Sequence, residues 1–234
     1  GKNPNIIMSD ADLDIAIQGV IDGMRYTRQG QACTAGSRVY IQEKIYDKVL
    51  NGVVEKLSKL KMGNALDESS DIGAIISEEQ LKRTLHYMNI AKKNSTTKVV
   101  HGGNQSTGGD YKNGYFYEPT LMSGVPVSSP VCQEEIFGPV ACAIPFKTFD
   151  EVMNSANDTP FGLSAVLWTQ NLSRALQFVE EIEAGFVQVN QCVAPRANVS
   201  YGGLKMSGLG KEYAFDSMIN PVSYTHLRAH ETSQ

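Results

Sequence analysis

One cysteine in this chain stands where a nucleophile could work: Cys33, in the run Arg28-Gln29-Gly30-Gln31-Ala32-Cys33-Thr34-Ala35-Gly36-Ser37-Arg38. The thiolate is the reactive form of cysteine, and small flanking residues let backbone amides approach the oxyanion formed when it attacks a carbonyl. Local spacing alone does not decide the matter, because most cysteines in folded proteins are small buried hydrophobes. The other titratable residues supply no competing machinery. Cys132, Cys142 and Cys192 are too few and too scattered for a disulfide scaffold and form no CxxC pair for zinc. His86 falls in a helical pattern and His101 beside a Gly-rich stretch, so both predict surface positions and not the partner of a Cys–His dyad. No GxGxxG follows a strand pattern, and Ser207-Gly208-Leu209-Gly210-Lys211 lacks the spacing of a phosphate-binding P-loop.

The elements that must position Cys33 are legible on both sides of it. Ser9 reads as the N-cap of a helix with apolar residues at Leu13, Ile17, Val20, Ile21 and Met24, and the cysteine loop follows. Arg38 to Gln42 reads as a strand and Ile45 to Leu60 as a helix. A loop at Gly63 to Gly73, a helix at Glu78 to Lys93, a strand at Lys98 to Val100 and a polar flap at Gly102 to Gly114 come next. Strands are then predicted at Val140 to Phe146, Ser164 to Thr169 and Phe186 to Gln191, with helices at Asp150 to Asn157 and Ser173 to Glu183 between them. That alternation argues for a parallel α/β sheet.

Composition narrows the class further. With 234 residues, 41% hydrophobic and 20% charged, the chain can bury a substantial core. A formal charge of −4 provides no basic field for a phosphate backbone, so nucleic acid is not expected as a partner. The apolar runs are far shorter than a bilayer span and nothing resembles a signal peptide, so no membrane partner and a cytoplasmic or organelle-matrix location are expected.

Four strings, read together, go beyond these generalities: Gly1-Lys2-Asn3-Pro4-Asn5; Gly30-Gln31-Ala32-Cys33 with Gly36-Ser37-Arg38; Gln133-Glu134-Glu135-Ile136-Phe137-Gly138-Pro139-Val140; and Tyr201-Gly202-Gly203-Leu204-Lys205-Met206-Ser207-Gly208-Leu209-Gly210-Lys211-Glu212. In this order and at these separations they resemble the C-terminal half of the NAD(P)-dependent aldehyde dehydrogenases. The resemblance implies a three-layer α/β/α catalytic domain over residues 1–220 with a mostly parallel sheet, the N-terminal cofactor-binding half being absent. It makes Cys33 the nucleophile that forms a thiohemiacetal and then a thioester, with its backbone N–H as part of the oxyanion hole. Glu135 matches the ligand of the nicotinamide-side ribose hydroxyls, and Phe137 the aromatic beside the nicotinamide ring of NAD or NADP. Without the resemblance, Glu135 reads as a solvated loop carboxylate and Phe137 as a core residue.

Less specific matches come with it. Glu212 aligns with a carboxylate that some members use in proton relay, against the plain reading of first-turn acidity on a helix. Tyr201 and the loop Val193 to Ala197 fall at the substrate entrance, where Arg196 could favour an acidic aldehyde or simply be an exposed loop arginine. The implied partner is a small aldehyde, in a parent enzyme that is a homodimer or homotetramer. Lacking the upstream glutamate base and most of the cofactor site, the fragment is expected to be inactive by itself and to expose apolar surface. A CoA-acylating relative and a non-catalytic fragment of the superfamily are the alternatives. Residues 221–234 read as a non-native tail, Val222 to Thr232 resembling the in-frame translation of a transposase sequencing adapter; a natural polar tail is the alternative.

Overall fold

A computed structural model of the protein describes residues 1–192 and 196–215. The predicted tail at 221–234, and Val193 to Pro195 of the entrance loop, lie outside the described residues.

Seven strands form the central sheet: β1 (Pro4–Ile7), β2 (Arg38–Gln42), β3 (Lys98–His101), β4 (Thr120–Ser123), β5 (Val140–Phe146), β6 (Ser164–Trp168) and β7 (Phe186–Val189). Their spatial order is β7-β6-β1-β2-β5-β4-β3, and every neighbouring pair is parallel except the edge pair β3 and β4. The helices are α1 (Leu13–Met24), α2 (Tyr46–Leu57), α3 (Glu78–Lys92), α4 (Phe149–Asn157) and α5 (Leu172–Glu181).

Side-chain alternation divides the sheet between two cores, as the pleat requires. Val39, Ile41, Ala141, Ala143, Val166 and Trp168 meet α1 and α2 on one face. On the other, Tyr40, Cys142, Ile144, Ala165 and Leu167 meet residues of α3, α4 and α5. Helices therefore cover both faces, giving the expected three-layer α/β/α domain, whose central strands β1, β2, β5 and β6 are largely buried runs.

Several boundaries differ from the sequence reading. The α1 cap is Asp12, whose carboxylate accepts from the Asp14 and Ile15 amides, and not Ser9; the Ser9 amide instead donates to the Gln42 side chain. A carboxylate at the N-cap also meets the positive end of the helix dipole. The strands β1 and β4 were not anticipated. The four residues of β1 are all buried and lie between β2 and β6 in the middle of the sheet. Its Asn5 satisfies its polar side chain internally, accepting from Trp168 Nε1 at 2.7 Å and donating to the Gly19 carbonyl at 3.2 Å. The Gly102 to Gly114 flap is a small hairpin, Gln105–Ser106 pairing with Phe116–Tyr117.

As expected, apolar surface is exposed: Leu209 is 92%, Met206 76% and Phe215 70% accessible, and Leu172, Leu176 and Val179 face outward from α5. No helix among the described residues is long and apolar enough to cross a membrane.

Candidate active site

The cysteine loop leaves α1 through a tight reversal. Arg25 caps the helix in the left-handed conformation (φ 58°), and the turn Tyr26–Arg28 follows, anchored by the buried Tyr26 hydroxyl donating to the Thr120 carbonyl at 3.0 Å. Gly30 then takes φ 64°, where a Cβ would lie 2.2 Å from the Gly138 carbonyl oxygen. Only glycine fits there, because the conformation is left-handed and another backbone occupies the side-chain position.

Asn3, just before β1, fixes the loop against the sheet. Its Nδ2 donates to the carbonyls of Cys33 (2.8 Å) and Ala35 (3.0 Å), and its Oδ1 accepts from the Ser164 amide at the start of β6 (3.0 Å). The Gly36 amide adds a bond to the Gly23 carbonyl at 2.9 Å. Behind them the wholly buried Arg38 ties β2 to the chain ends around it, donating to the carbonyls of Lys2 (2.8 Å), Ser155 (3.1 Å) and Ala156 (2.8 Å). The guanidinium's planar array of donors suits several carbonyls at once, so the charge is solvated by protein dipoles in place of water.

Cys33 is the one exposed thiol among the described cysteines; Cys132 and Cys142 are buried and Cys192 is half-buried, its thiol pushed up to about 11 by burial. It opens into a cavity of about 470 Å³ whose walls include Tyr201, Arg25, Arg28, Gln188 and Glu212. The Tyr201 hydroxyl is 3.5 Å from Cys33 Sγ. Burial, that contact and the charge of Cys33 raise the tyrosine well above its ordinary value, so it stays neutral at alkaline pH. Phe186 and Tyr213 hold its ring edge-to-face, with centroids 5.1 and 5.9 Å away. The Cys33 N–H donates to no group among the described residues. A thiol, an available amide and a neutral hydroxyl in one cavity can hold a carbonyl and stabilise the charge formed on attack.

This cavity lies at the amino ends of β1, β2, β6 and β7. Ligands of open α/β sheets more often sit at the carboxyl ends. Here the loops entering the strands line the cavity.

The predicted cofactor residues sit on the other flank of the same loop. Phe137 adopts φ 59° and is 38% exposed, and the Glu135 carboxylate, its side chain 33% exposed, accepts from the Gly1 nitrogen. Side chains of α3 hold their loop: Arg83 donates to the Glu135 carbonyl, and Gln80 to those of Ile136 (2.9 Å) and Phe137 (2.7 Å). Glu135, Phe137, Gly30 and Ala32 line one shallow concavity, so the structure brings the three predicted residues onto two touching loops.

Other predicted positions resolve differently. Glu212 reaches the cavity wall, but from a two-residue strand paired with Tyr201 and not from a helix. Arg196 is exposed; the arginines lining the cavity are Arg25 and Arg28, which sequence reading passed over. His86 is exposed as expected, whereas His101 is half-buried, its Nδ1 2.9 Å from the Pro119 carbonyl. Asn3 and Arg38 were also missed, although an arginine opening an otherwise apolar strand signals a buried, partnered charge. A larger concavity, about 1100 Å³ between residues 57–70 and 101–119, has no cysteine among its described lining residues. Among the described residues no group of three His, Cys, Asp or Glu side chains could hold a metal.

The sequence pattern of the aldehyde dehydrogenase family matches residues 1–226. The chain belongs to that family. It is 37% identical over 229 residues to a betaine aldehyde dehydrogenase of Mesorhizobium japonicum, covering 98% of this chain and 46% of that protein. It is 38% identical over 208 residues to an alpha-ketoglutaric semialdehyde dehydrogenase of Bacillus subtilis, covering 88% and 42%. Among solved structures, the NAD+ complex of a Bacillus cereus aldehyde dehydrogenase superposes with a TM-score of 0.88 at 36% identity, covering 93% of this chain and 43% of that one. A Staphylococcus aureus betaine aldehyde dehydrogenase with NAD+ gives 0.89 at 34%, with the same coverage. The chain thus spans less than half the length of these aldehyde dehydrogenase relatives, while nearly all of it is matched.

Proposed function

We propose that this chain supplies the nucleophile-bearing catalytic part of an NAD(P)-dependent aldehyde dehydrogenase, with Cys33 as the nucleophile. The observation that carries the reading is the exposed Cys33 thiol in a cavity beside its own uncommitted N–H and the Tyr201 hydroxyl.

In this reading the Cys33 thiolate adds to the aldehyde carbon, and the oxygen takes the negative charge of a thiohemiacetal. The Cys33 amide meets that oxyanion, while Asn3 keeps the loop from swinging away by holding the carbonyl of the same residue. Glu135 and Phe137 fit a dinucleotide's nicotinamide end: a part-exposed carboxylate can accept from two vicinal hydroxyls, and an exposed ring on a pinned loop can pack on a planar heterocycle. Bound there, NAD(P)+ supplies the hydride acceptor. The acyl group then rests on Cys33 Sγ as a thioester, and hydrolysis releases the carboxylic acid. The base for that last step is expected from a glutamate upstream of Gly1 in the family pattern.

The test is made on a protein of the relatives' full length that contains this chain. Aldehyde-dependent formation of NADH should fall by about a thousandfold or more in Cys33→Ala, because a covalent route loses its nucleophile. Mass spectrometry of the quenched reaction should place the acyl group on the peptide bearing Cys33. Undiminished turnover in Cys33→Ala would overturn the assignment.

A further inference from the structure

Two arginines line the Cys33 cavity, and neither makes an ion pair among the described residues. They are placed by backbone geometry. Arg25 is the left-handed cap of α1, its carbonyl accepting from the amides of Arg28 (2.8 Å) and Gly30 (2.9 Å), so the turn that delivers Cys33 also sets both side chains beside it.

The ordinary explanation for cations here is that they meet the carbonyls at the negative end of α1. Arg25 does not use its side chain that way. Its Nε is buried and has no hydrogen-bond partner, which is costly for a guanidinium donor. Burial and the charge of Arg28 both act against its ionised form, with Cys192, Asp22 and Cys33 as smaller opposing influences. The Asp22 carboxylate accepts from Gln18 at 3.0 Å, and Glu212, the one carboxylate among the described lining residues, is itself exposed. Among those lining residues two cations face one acid, in a chain whose net charge is −4.

We infer that Arg25 and Arg28 form an anion-receiving subsite beside Cys33, so that the aldehyde taken by this cavity carries a carboxylate. A planar carboxylate can accept two parallel bonds from a guanidinium, which also orients the far end of the molecule while the carbonyl reaches Sγ. The inference rests on the reading of Cys33 as the nucleophile and adds the substrate's charge to it.

Two alkylating agents of nearly equal size separate the inference from its basis: iodoacetate, which carries a carboxylate, and neutral iodoacetamide. Their rates at Cys33 of the 234-residue chain are followed by peptide mass spectrometry, with 2-mercaptoethanol as the unbiased thiol. The iodoacetate-to-iodoacetamide ratio at Cys33 should exceed that of 2-mercaptoethanol about five- to tenfold at low salt, from two cations several ångströms away in water-like surroundings. It should fall to the reference in about 1 M salt, where screening acts over about 3 Å. Arg25→Gln and Arg28→Gln should each remove part of the excess. The salt series uses the unaltered chain, so it decides the matter even where a variant misfolds. A ratio at or below the reference, or one that neither salt nor either substitution changes, overturns the subsite and leaves Cys33 as nucleophile standing. No alkylation of Cys33 by either agent overturns the nucleophile reading, and the subsite with it.

Discussion

Asn3 is the residue whose loss should be felt furthest from its own position. It is 3% exposed and makes three hydrogen bonds: to the carbonyls of Cys33 and Ala35 at 2.8 and 3.0 Å, and from the Ser164 amide at 3.0 Å. In Asn3→Ala the Ala35 carbonyl keeps its bond from the Ser37 amide, and the exposed Cys33 carbonyl can turn to water. The Ser164 amide, buried where β6 begins, keeps nothing. Two lost bonds at about 1 kcal/mol each, plus about 1–3 kcal/mol for the stranded amide, give about 3–5 kcal/mol of destabilisation. Urea unfolding measures the total, and hydrogen exchange measures the Ser164 amide directly; it should lose most of its protection in Asn3→Ala. Asn3→Asp separates the two halves of the network, since it keeps an acceptor for Ser164 but sets a carboxylate oxygen against two carbonyls. It should preserve Ser164 protection while loosening the cysteine loop, seen as faster exchange of the amides near Cys33. A cost below about 1 kcal/mol in Asn3→Ala, the size of a single ordinary hydrogen bond, would refute the reasoning that this side chain pins the Cys33 loop to the sheet.

Two further perturbations follow from the same region. Gly30→Ala meets both a left-handed backbone and the Gly138 carbonyl, so it should destabilise by about 2–4 kcal/mol in denaturant and slow Cys33 alkylation; a cost under about 0.5 kcal/mol would mean the two loops are not in contact. Lys2 is 2% exposed, and burial first, then the charge of Arg38, lowers its ammonium from the ordinary 10.5, with Cys142, Cys132 and Glu135 pulling the other way. The folded state therefore binds that proton less readily than the unfolded state. Stability should rise with pH between the lowered value and 10.5. Urea midpoints should climb over that alkaline window in the wild type and lose that component in Lys2→Met; identical slopes in the two proteins would show that Lys2 is not desolvated.

The family of this chain was legible before its shape. The alternation of strand and helix patterns read as a parallel α/β sheet, the family resemblance implied its three layers, and Cys33, Glu135 and Phe137 were named from ordered strings that each need particular residues. A thiol, an aromatic ring and a carboxylate are properties of residue type, so sequence carries them. What it did not carry are the contacts between distant segments. The strand Pro4–Ile7 is too short and too polar at Asn5 to announce itself; Trp168, 163 residues away, and the Gly19 carbonyl make that asparagine at home in the middle of a sheet. Asn3 and Arg38 look unremarkable in the chain because their partners at Cys33, Ser164 and Ser155–Ala156 are assembled only by folding. The charge of the cavity was decided the same way. Arg196 is exposed, one of the two readings its loop allowed, while the left-handed cap of α1 sets Arg25 and Arg28 beside Cys33, and no periodicity records where a helix end points.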